Sequence, residues 1–261
     1  MPAIDPEVLT QQVEELAPLF YEPEALRSRL LDLFAFYADR TRRPGAASRR
    51  RAAHGALEPS RPLMRAIRIK LLEWGLKAPN QNHLVADALW AGEVREARLL
   101  AAALLGQRAD ELVPDKAHAW YTHTQDKIVQ WEIVETGLAG LRHLDPATHL
   151  QAIAAWSQAE DKHTRRMSLN ALTATVRDRE FENFPALLDL LESLQEPSSS
   201  GFRRDFNALL DALTDRSPAE TTHFLMAVIE RDRQEGVRMA RHVLKRMPEP
   251  ERSLIRDALL G

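Results

Sequence analysis

The sequence predicts an all-α fold assembled from repeated pairs of helices. Three observations lead to this prediction. Apolar residues recur every three or four positions over stretches of about 12 to 16 residues, as on one face of an amphipathic helix. Short breaks containing proline or glycine separate these stretches. No stretch shows the alternation of β-branched and polar residues that is typical of a strand.

The first two helices are predicted near the N-terminus. Asp5 is the expected N-cap of the first, with Pro6 at its first position, and the second starts at Pro23. Residues 41–61 (TRRPGAASRRRAAHGALEPSR) break the helical pattern, which predicts an arginine-rich loop. Helical periodicity resumes at Pro62.

The remaining chain repeats one unit, an amphipathic helix followed by a short break and another helix. The predicted helices span residues 80–91, 94–106, 114–123, 126–141, 146–158, 161–178, 184–195, 201–214, 218–231, 235–246 and 249–260. Helix pairs recurring about every 35 to 45 residues are typical of HEAT-like α-solenoids. We therefore expect residues 1–261 to form a single HEAT-like helical-repeat α-solenoid of about six pairs with a concave binding surface. The same rhythm is also compatible with an irregular helical bundle.

Composition and charge limit the classes of function. The chain has no cysteine, which excludes disulfides and thiolate chemistry and fits the cytoplasm. The acidic start does not resemble a signal peptide, so we expect a soluble, cytoplasmic monomer that does not interact with membranes. The net charge of −3 is uneven, because residues 40–70 contain ten basic residues and one glutamate and thus carry +9. This segment is either a solvated loop or a surface that contacts phosphates.

The segment KIVQWEIVETGLAGL, residues 127–141, contains the strongest candidate for a site. At 3.6 residues per turn, Ile128, Trp131, Glu135 and Leu138 fall on one stripe. A carboxylate in an apolar line is either a paired structural charge or a functional group, since burying an unpaired charge is unfavourable. One interpretation is a cationic substrate held by the indole and the carboxylate, with Arg165 and Arg166 facing them. The alternative is a core Trp131 and a Glu135 paired with an arginine.

Other chemistries lack support in the sequence. His118 and His123 are five residues apart and do not form the i, i+4 pair of a helical zinc site. Neither a glycine-rich phosphate loop nor a G-x-S-x-G elbow is present. We therefore predict no metal and no cofactor. The tryptophans at positions 74, 90, 120 and 156 are interpreted as helix-packing residues.

Several local motifs, taken in order, resemble the AlkD-type DNA alkylation repair proteins, a family of HEAT-like alkylpurine DNA glycosylases. Residues 62–67 (PLMRAI) resemble the family's entry into an early helix, and residues 89–90 (LW), followed by 95–102 (REARLLAA), resemble its next motif. Residues 130–135 (QWEIVE) are similar to the Trp-Asp-x-Val-Asp motif that carries the catalytic aspartate. The spacing from Trp156 to Arg166 also matches, and the resemblance covers about residues 60–260.

The resemblance implies a role for each matching residue. Trp131 would lie against the deoxyribose of the lesion, Glu135 would take the place of the catalytic aspartate, and Arg166 would hold the phosphate backbone. Arg65, Arg165, Arg203 and Arg204 are the further residues expected to contact DNA. The implied activity is excision of cationic N3- or N7-alkylated purines from duplex DNA by hydrolysis of the N-glycosidic bond.

The sequence departs from the family pattern at two points. Glu135 stands where the family has aspartate, and Leu209 stands where the family has a further tryptophan on the DNA face. These departures, together with the −12 charge outside residues 40–70, leave an alternative function open. In that alternative the protein is a catalytically inactive solenoid that binds DNA structure or serves as a scaffold for a protein partner.

Overall fold

The structure is a computed structural model and describes residues 6–38, 57, 59–193 and 200–260. The described chain is all-α, with no strand, and its helices pack against one another, which confirms the predicted helical-repeat class. Within the same ranges, none of the helices has both the length and the apolar character needed to cross a membrane. Most of the predicted arginine-rich loop, and the predicted cap Asp5, lie outside the described residues.

The chain divides into two compact units, Met1–Asp145 and Pro146–Gly261. The single-domain prediction is not tested by this division and stays a prediction. The helices of the first unit are α1 (Pro6–Glu14), a 3-10 turn (Pro18–Tyr21), α2 (Pro23–Phe36), α3 (Arg61–Lys77), α4 (Pro79–Ala91), α5 (Arg95–Leu105), α6 (Leu112–His123), α7 (Lys127–Glu132), a π turn (Ile133–Gly137) and α8 (Ala139–Leu144). Those of the second unit are α9 (Pro146–Ser157), α10 (Lys162–Arg177), α11 (Phe184–Ser193), α12 (Ser200–Arg216), α13 (Pro218–Arg231), α14 (Arg233–Val243) and α15 (Glu251–Leu260).

Helix α5 is the central element of the first unit. It packs against α3, α4, α7 and the π turn, and its residues from Glu96 to Leu105 are buried except for Arg98 and Leu99. Its run of alanines leaves little side-chain bulk, so neighbouring helices approach its backbone closely. The small-residue stretch in the sequence therefore marks the core of this unit.

The predicted packing role of the tryptophans is confirmed. Trp90, Trp120 and Trp156 are each buried, and the rings of Trp90 and Trp120 stack with centroids 4.6 Å apart and an interplanar angle of 5°. Trp74 is half-buried and packs edge-on against Phe20 at 6.1 Å.

The second unit is built from successive helix pairs. Helix α10 packs between α9 and α12, and α13 packs against α12, α14 and α15. Proline begins α9 and α13, where its fixed φ suits the first turn and its missing N–H removes no helical hydrogen bond. Asp161 and Asp232 cap α10 and α14 by accepting from the backbone N–H groups of Thr164 and Glu235.

Candidate functional site

Trp131 and Glu135 lie where α7 changes into the π turn. Residues 126–141 were predicted as one α-helix, and this prediction is wrong, because the segment consists of α7, the π turn and α8. Trp131 is half-buried in the last turn of α7, and Glu135 is exposed at the centre of the π turn. A single π turn within a helix is rare and often occurs at a functional site, since it displaces side chains from their α-helical positions.

The predicted stripe does not form one surface. Ile128 is 55% exposed, Glu135 is exposed, Trp131 is half-buried and Leu138 is completely buried. The i→i+5 hydrogen bonding of the π turn adds one residue to this turn compared with an α-helix. Residues after the turn therefore face a different side from the one that the spacing in α7 predicts. The side of the segment that packs into the core consists of Val129, Ile133, Val134, Leu138 and Leu141. Glu135 therefore lies outside the apolar line rather than within it.

A buried arginine, Arg142, donates hydrogen bonds to the backbone of the π turn. The side chain of Arg142 is 5% exposed, and its Nη2 donates to the backbone carbonyl oxygen of Glu135 at 2.9 Å while Nη1 donates to that of Val134 at 3.4 Å. The wider π turn changes the backbone N–H groups that can reach these two carbonyl oxygens. A buried carbonyl without a hydrogen-bond donor is unfavourable, and Arg142 supplies donors to both. Arg142 thus holds the backbone that carries Glu135.

Glycines allow the π turn to lie directly on the end of α5. A Cβ added at Gly106 would overlap the carbonyl oxygen of Thr136, and a Cβ at Gly140 would lie 2.6 Å from the carbonyl oxygen of Gly106. Real Cβ atoms do not approach other atoms this closely, so either position requires glycine unless the backbone shifts. The placement of Glu135 consequently depends on backbone contacts with α5.

Arg68 on α3 contacts the same segment from another side. Its Nη1 lies 2.9 Å from Oε1 of Glu132, and its Nη2 donates to Oγ1 of Thr136 at 3.4 Å. The arginine partner expected for Glu135 therefore belongs to Glu132 instead. Glu135 makes no ion pair with any residue that the structure describes, and Trp131 is not a fully buried core residue. Among the described residues the pairing of Glu135 with an arginine is therefore not found, and the roles of Trp131 and Glu135 stay predictions.

Helix α3, which holds Arg68, carries two further arginines. Arg61, Arg65 and Arg68 are spaced at i, i+4 and i+7, which puts them on one side of the helix, and the first two are exposed. Arg65, a predicted DNA contact, lies one turn before Arg68. Arg68 itself was missed as a site residue, although its spacing from Arg61 and Arg65 was visible in the sequence.

The other predicted DNA contacts lie in the second unit. Arg165 and Arg166 occupy the first turns of α10, and Arg203 and Arg204 are exposed near the start of α12. Nε of Arg166 contacts the carboxylate of Asp205, which joins the two helices next to Arg204. The contact brings Arg166 to the turn of α12 that follows Arg203 and Arg204, while Trp131 and Glu135 belong to the first unit.

Leu209 does not occupy an exposed wall. Its side chain is completely buried in the second unit, so it corresponds to a core position. On the same helix, Phe206 is also buried and Phe202 is half-buried. The expectation that Leu209 marks a lost surface aromatic is thus corrected by its burial.

A cleft in the first unit is lined by residues that do not include Glu135. Its volume is about 460 Å³, and it is lined by the α4–α5 and α6–α7 connections and by the starts of α5 and α7. The lining includes Arg95, Arg98 and Asp126. Arg98 lies 4.7 Å from the centroid of Trp90, and desolvation lowers the pKa of its guanidinium. Arg95 pairs with the buried Asp126, which also caps α7. The part of the chain that the structure describes contains no cluster of acidic and histidine side chains suited to a metal ion.

Comparison with known proteins adds one finding. Searches of curated proteins and of solved structures gave no match. The family model described as DNA alkylation repair enzyme matches residues 62–246, which include α3, the π turn and both arginine-bearing helices of the second unit. This match covers well over half of the chain, and the chain therefore belongs to the DNA alkylation repair enzyme family.

Proposed function

We propose that this protein is a DNA glycosylase that excises cationic N3- or N7-alkylated purines from duplex DNA, with Glu135 as the electrostatic catalyst. The observation that carries the proposal is an exposed glutamate that has no ion pair among the described residues and lies on a π turn braced by Arg142 and Arg68. Membership in the DNA alkylation repair enzyme family supports a role in DNA repair.

The chemistry suits a carboxylate that is held in place but open to solvent. As the bond between C1′ and the purine nitrogen breaks, its electron pair neutralises the positive charge of the alkylated base, and positive charge develops on the sugar. A carboxylate near C1′ stabilises that charge and orients the attacking water. Water then adds its oxygen to C1′ and releases a proton, which leaves an abasic site and the free base. Because the cationic base is a good leaving group, no strong general acid is required.

Trp131 supports the same assignment. It precedes Glu135 by four residues and is half-buried, so one part of its indole packs on the protein and another part is accessible. Placed against the deoxyribose, the accessible edge of this indole would exclude bulk water from one side of C1′. Arg61 and Arg65 on α3 are exposed cations that can contact phosphates of the same DNA.

The phosphate-contacting role proposed for the second unit rests on α10 and α12. The contact between Arg166 and Asp205 uses Nε, while a guanidinium carries five N–H donors in all. Asp205 thereby orients Arg166 and leaves its outer edge suited to a phosphate. Arg203 and Arg204 add exposed positive charge on the adjacent turn of α12.

The catalytic role is tested by base release from duplex DNA that contains 7-methylguanine. The wild-type protein should release free 7-methylguanine, and Glu135→Gln should slow the release on the order of a hundredfold, as for removal of one preorganised electrostatic group. Glu230→Gln, which changes an exposed glutamate on α13, serves as the matched control and should release base at the wild-type rate. Equal rates for Glu135→Gln and Glu230→Gln would disprove the catalytic assignment.

A second function is favoured by one specific observation, the glutamate in place of the family's aspartate. The additional methylene changes the reach of the carboxylate, and catalysis depends on positioning within about 1 Å. In that case the protein binds DNA structure without chemistry. Salt-dependent binding of duplex DNA by a wild-type protein that releases no base would identify this function.

A further inference from the structure

A second cleft, confined to the second unit, has four arginines among its nine lining residues. It has a volume of about 310 Å³ and lies between the end of α10, the C-terminal half of α12 and the residues after α14. Its charged lining consists of four arginines and two aspartates, namely Arg177, Arg179, Arg216, Arg246, Asp211 and Asp215. We call it the C-terminal arginine cleft. Its lining carries two more positive than negative charges.

The two aspartates already have cationic partners. Asp215 contacts Nη2 of Arg246, and this contact is the main reason that the pKa of Arg246 is raised. Asp211 lies 3.7 Å from Nε of Arg246 and 3.1 Å from Nε2 of His242. The carboxylates are therefore engaged in fixing Arg246 and His242 and are less able to neutralise the remaining arginines.

Arg216 is fixed by uncharged groups. Its Nη2 donates to the carbonyl oxygens of Arg179 at 2.8 Å and of Phe181 at 3.4 Å, and its guanidinium lies 5.6 Å from the ring centroid of Phe184. These contacts orient the side chain without cancelling its charge. Little conformational freedom would be lost when an anion binds, which favours binding.

Arg179 brings an additional positive charge to the cleft. Its side chain is exposed and has no ion pair with any residue that the structure describes. The backbone carbonyl of the same residue accepts from Arg216, so the segment that carries Arg179 is attached to α12. The oriented guanidinium of Arg216 and the guanidinium of Arg179 can both donate hydrogen bonds to the oxygens of one phosphate group.

The cleft continues the surface that carries the predicted DNA contacts. Arg204, Ala208, Asp211 and Asp215 follow one another on α12 at spacings of four, three and four residues, so they share one side of the helix. Eleven residues of helix span about 16 Å. This continuity with Arg204 favours an extended polyanion over an isolated small anion.

We propose that the C-terminal arginine cleft binds a backbone phosphate of nucleic acid, as an anchoring point in addition to the DNA contacts predicted on α10 and α12. The inference rests on the proposed function for the identity of the ligand as DNA, and adds to it a site outside α3 and the first turns of α10 and α12. The cleft contributes affinity and takes no part in the bond cleavage.

Binding of undamaged duplex DNA at several salt concentrations tests the proposal without requiring base release. Arg179→Gln should weaken binding about tenfold and reduce the slope of log K against log salt by about one, as expected for one lost phosphate contact. Arg233→Gln removes the same charge from an exposed arginine at the start of α14, outside the cleft, and should leave the slope unchanged. Equal slopes for Arg179→Gln and Arg233→Gln would overturn the proposal.

Two further measurements separate the sources of phosphate and the two proposals. In one outcome, pyrophosphate raises the melting temperature of the wild-type protein but not that of Arg179→Gln, and the salt slope of DNA binding is the same for both proteins. This outcome would assign the cleft to a small anion and overturn the nucleic-acid assignment. If the wild-type protein releases base, Arg179→Gln should raise KM and leave kcat unchanged. Absence of base release by the wild type would disprove the glycosylase proposal, while the salt slopes would still decide the role of the cleft.

Discussion

Arg142 donates a hydrogen bond of 2.9 Å from its buried guanidinium to the backbone carbonyl oxygen of Glu135. The contact links the last turn of α8 to Glu135, the proposed catalyst on the π turn. Since the bond goes to the backbone, it fixes the position of Glu135 without engaging its carboxylate. Arg142 is thus a positioning residue for the site.

Replacement of Arg142 should therefore affect both stability and activity. Arg142→Ala leaves the carbonyl groups of Val134 and Glu135 without these donors, at roughly 1–3 kcal/mol for each buried unsatisfied group. Arg142→Lys keeps the charge but loses the two-pronged geometry, so its loss of stability should be smaller. Urea unfolding measures stability, and base release under conditions where each variant remains folded measures activity. If the Arg142→Lys variant retains the wild-type kcat, the two hydrogen bonds from the guanidinium are not needed to position Glu135.

Gly106 should resist substitution for a steric reason. Its backbone has an ordinary right-handed conformation, but a Cβ there would overlap the carbonyl oxygen of Thr136. Gly106→Ala should therefore lower the free energy of unfolding by about 1–3 kcal/mol, the usual effect of forcing a methyl group into a packed region.

Gly137→Ala provides the matched control, since Gly137 also lies where the π turn packs on α5. A Cβ at Gly137 would meet its nearest atom, the carbonyl oxygen of Ala102, at 3.5 Å, an ordinary van der Waals distance. Because alanine favours helix by up to about 1 kcal/mol over glycine, this variant should be as stable as wild type or more stable. Equal effects of the two substitutions in urea unfolding would contradict the close approach of the π turn to α5.

The boundaries of many helices were predictable because their signals are local. Pro146 and Pro218 begin helices at the predicted residues, and the predicted helix 161–178 corresponds to Lys162–Arg177. The π turn was not predictable from its own residues. It depends on Gly106, which is 30 positions from Thr136 in the sequence. Helical periodicity describes a segment alone and carries no information about such a contact.

The candidate site was predictable only in its residue types. The sequence singled out Trp131 and Glu135, and the structure exposes the glutamate and partly exposes the tryptophan. It also indicated an arginine partner for a carboxylate in this segment. Whether Arg68 pairs with Glu132 or with Glu135 depends on the angle between α3 and α7, which spacing along one helix does not define. The roles of Trp131, Glu135 and the five predicted DNA-contacting arginines stay predictions until the experiments above are done.

The ion pair of Arg95 and Asp126 should contribute to stability through both partners. The two side chains are 10% and 8% exposed, so removal of one leaves a largely buried charge. Asp126→Asn retains a good N-cap for α7 but loses the negative charge, and should cost about 3 kcal/mol or more. Arg95→Met should have a similar effect.

A double-mutant cycle distinguishes the pair from two separate contributions. The variant with both Arg95→Met and Asp126→Asn should lose less stability than the sum of the single variants, because neither charge is then left unpaired. The free energies come from urea unfolding of all four proteins. Additive losses would show that the two side chains stabilise the fold independently, for example through the cap alone.

His83 should make stability depend on pH. Desolvation, followed by the nearby charges of Arg108 and Lys116, lowers the pKa of His83 in the folded protein. The unfolded chain then binds a proton more readily than the folded chain, so folding is disfavoured as the pH falls through the ordinary histidine pKa of about 6.5, and the penalty is absent well above it. His83→Gln should reduce the loss of melting temperature between about pH 7.5 and about pH 5.5. His163→Gln, at an exposed position in the first turn of α10, is the control and should follow the wild-type profile. A pH profile of His83→Gln identical to that of His163→Gln would show that the environment of His83 does not oppose its protonation.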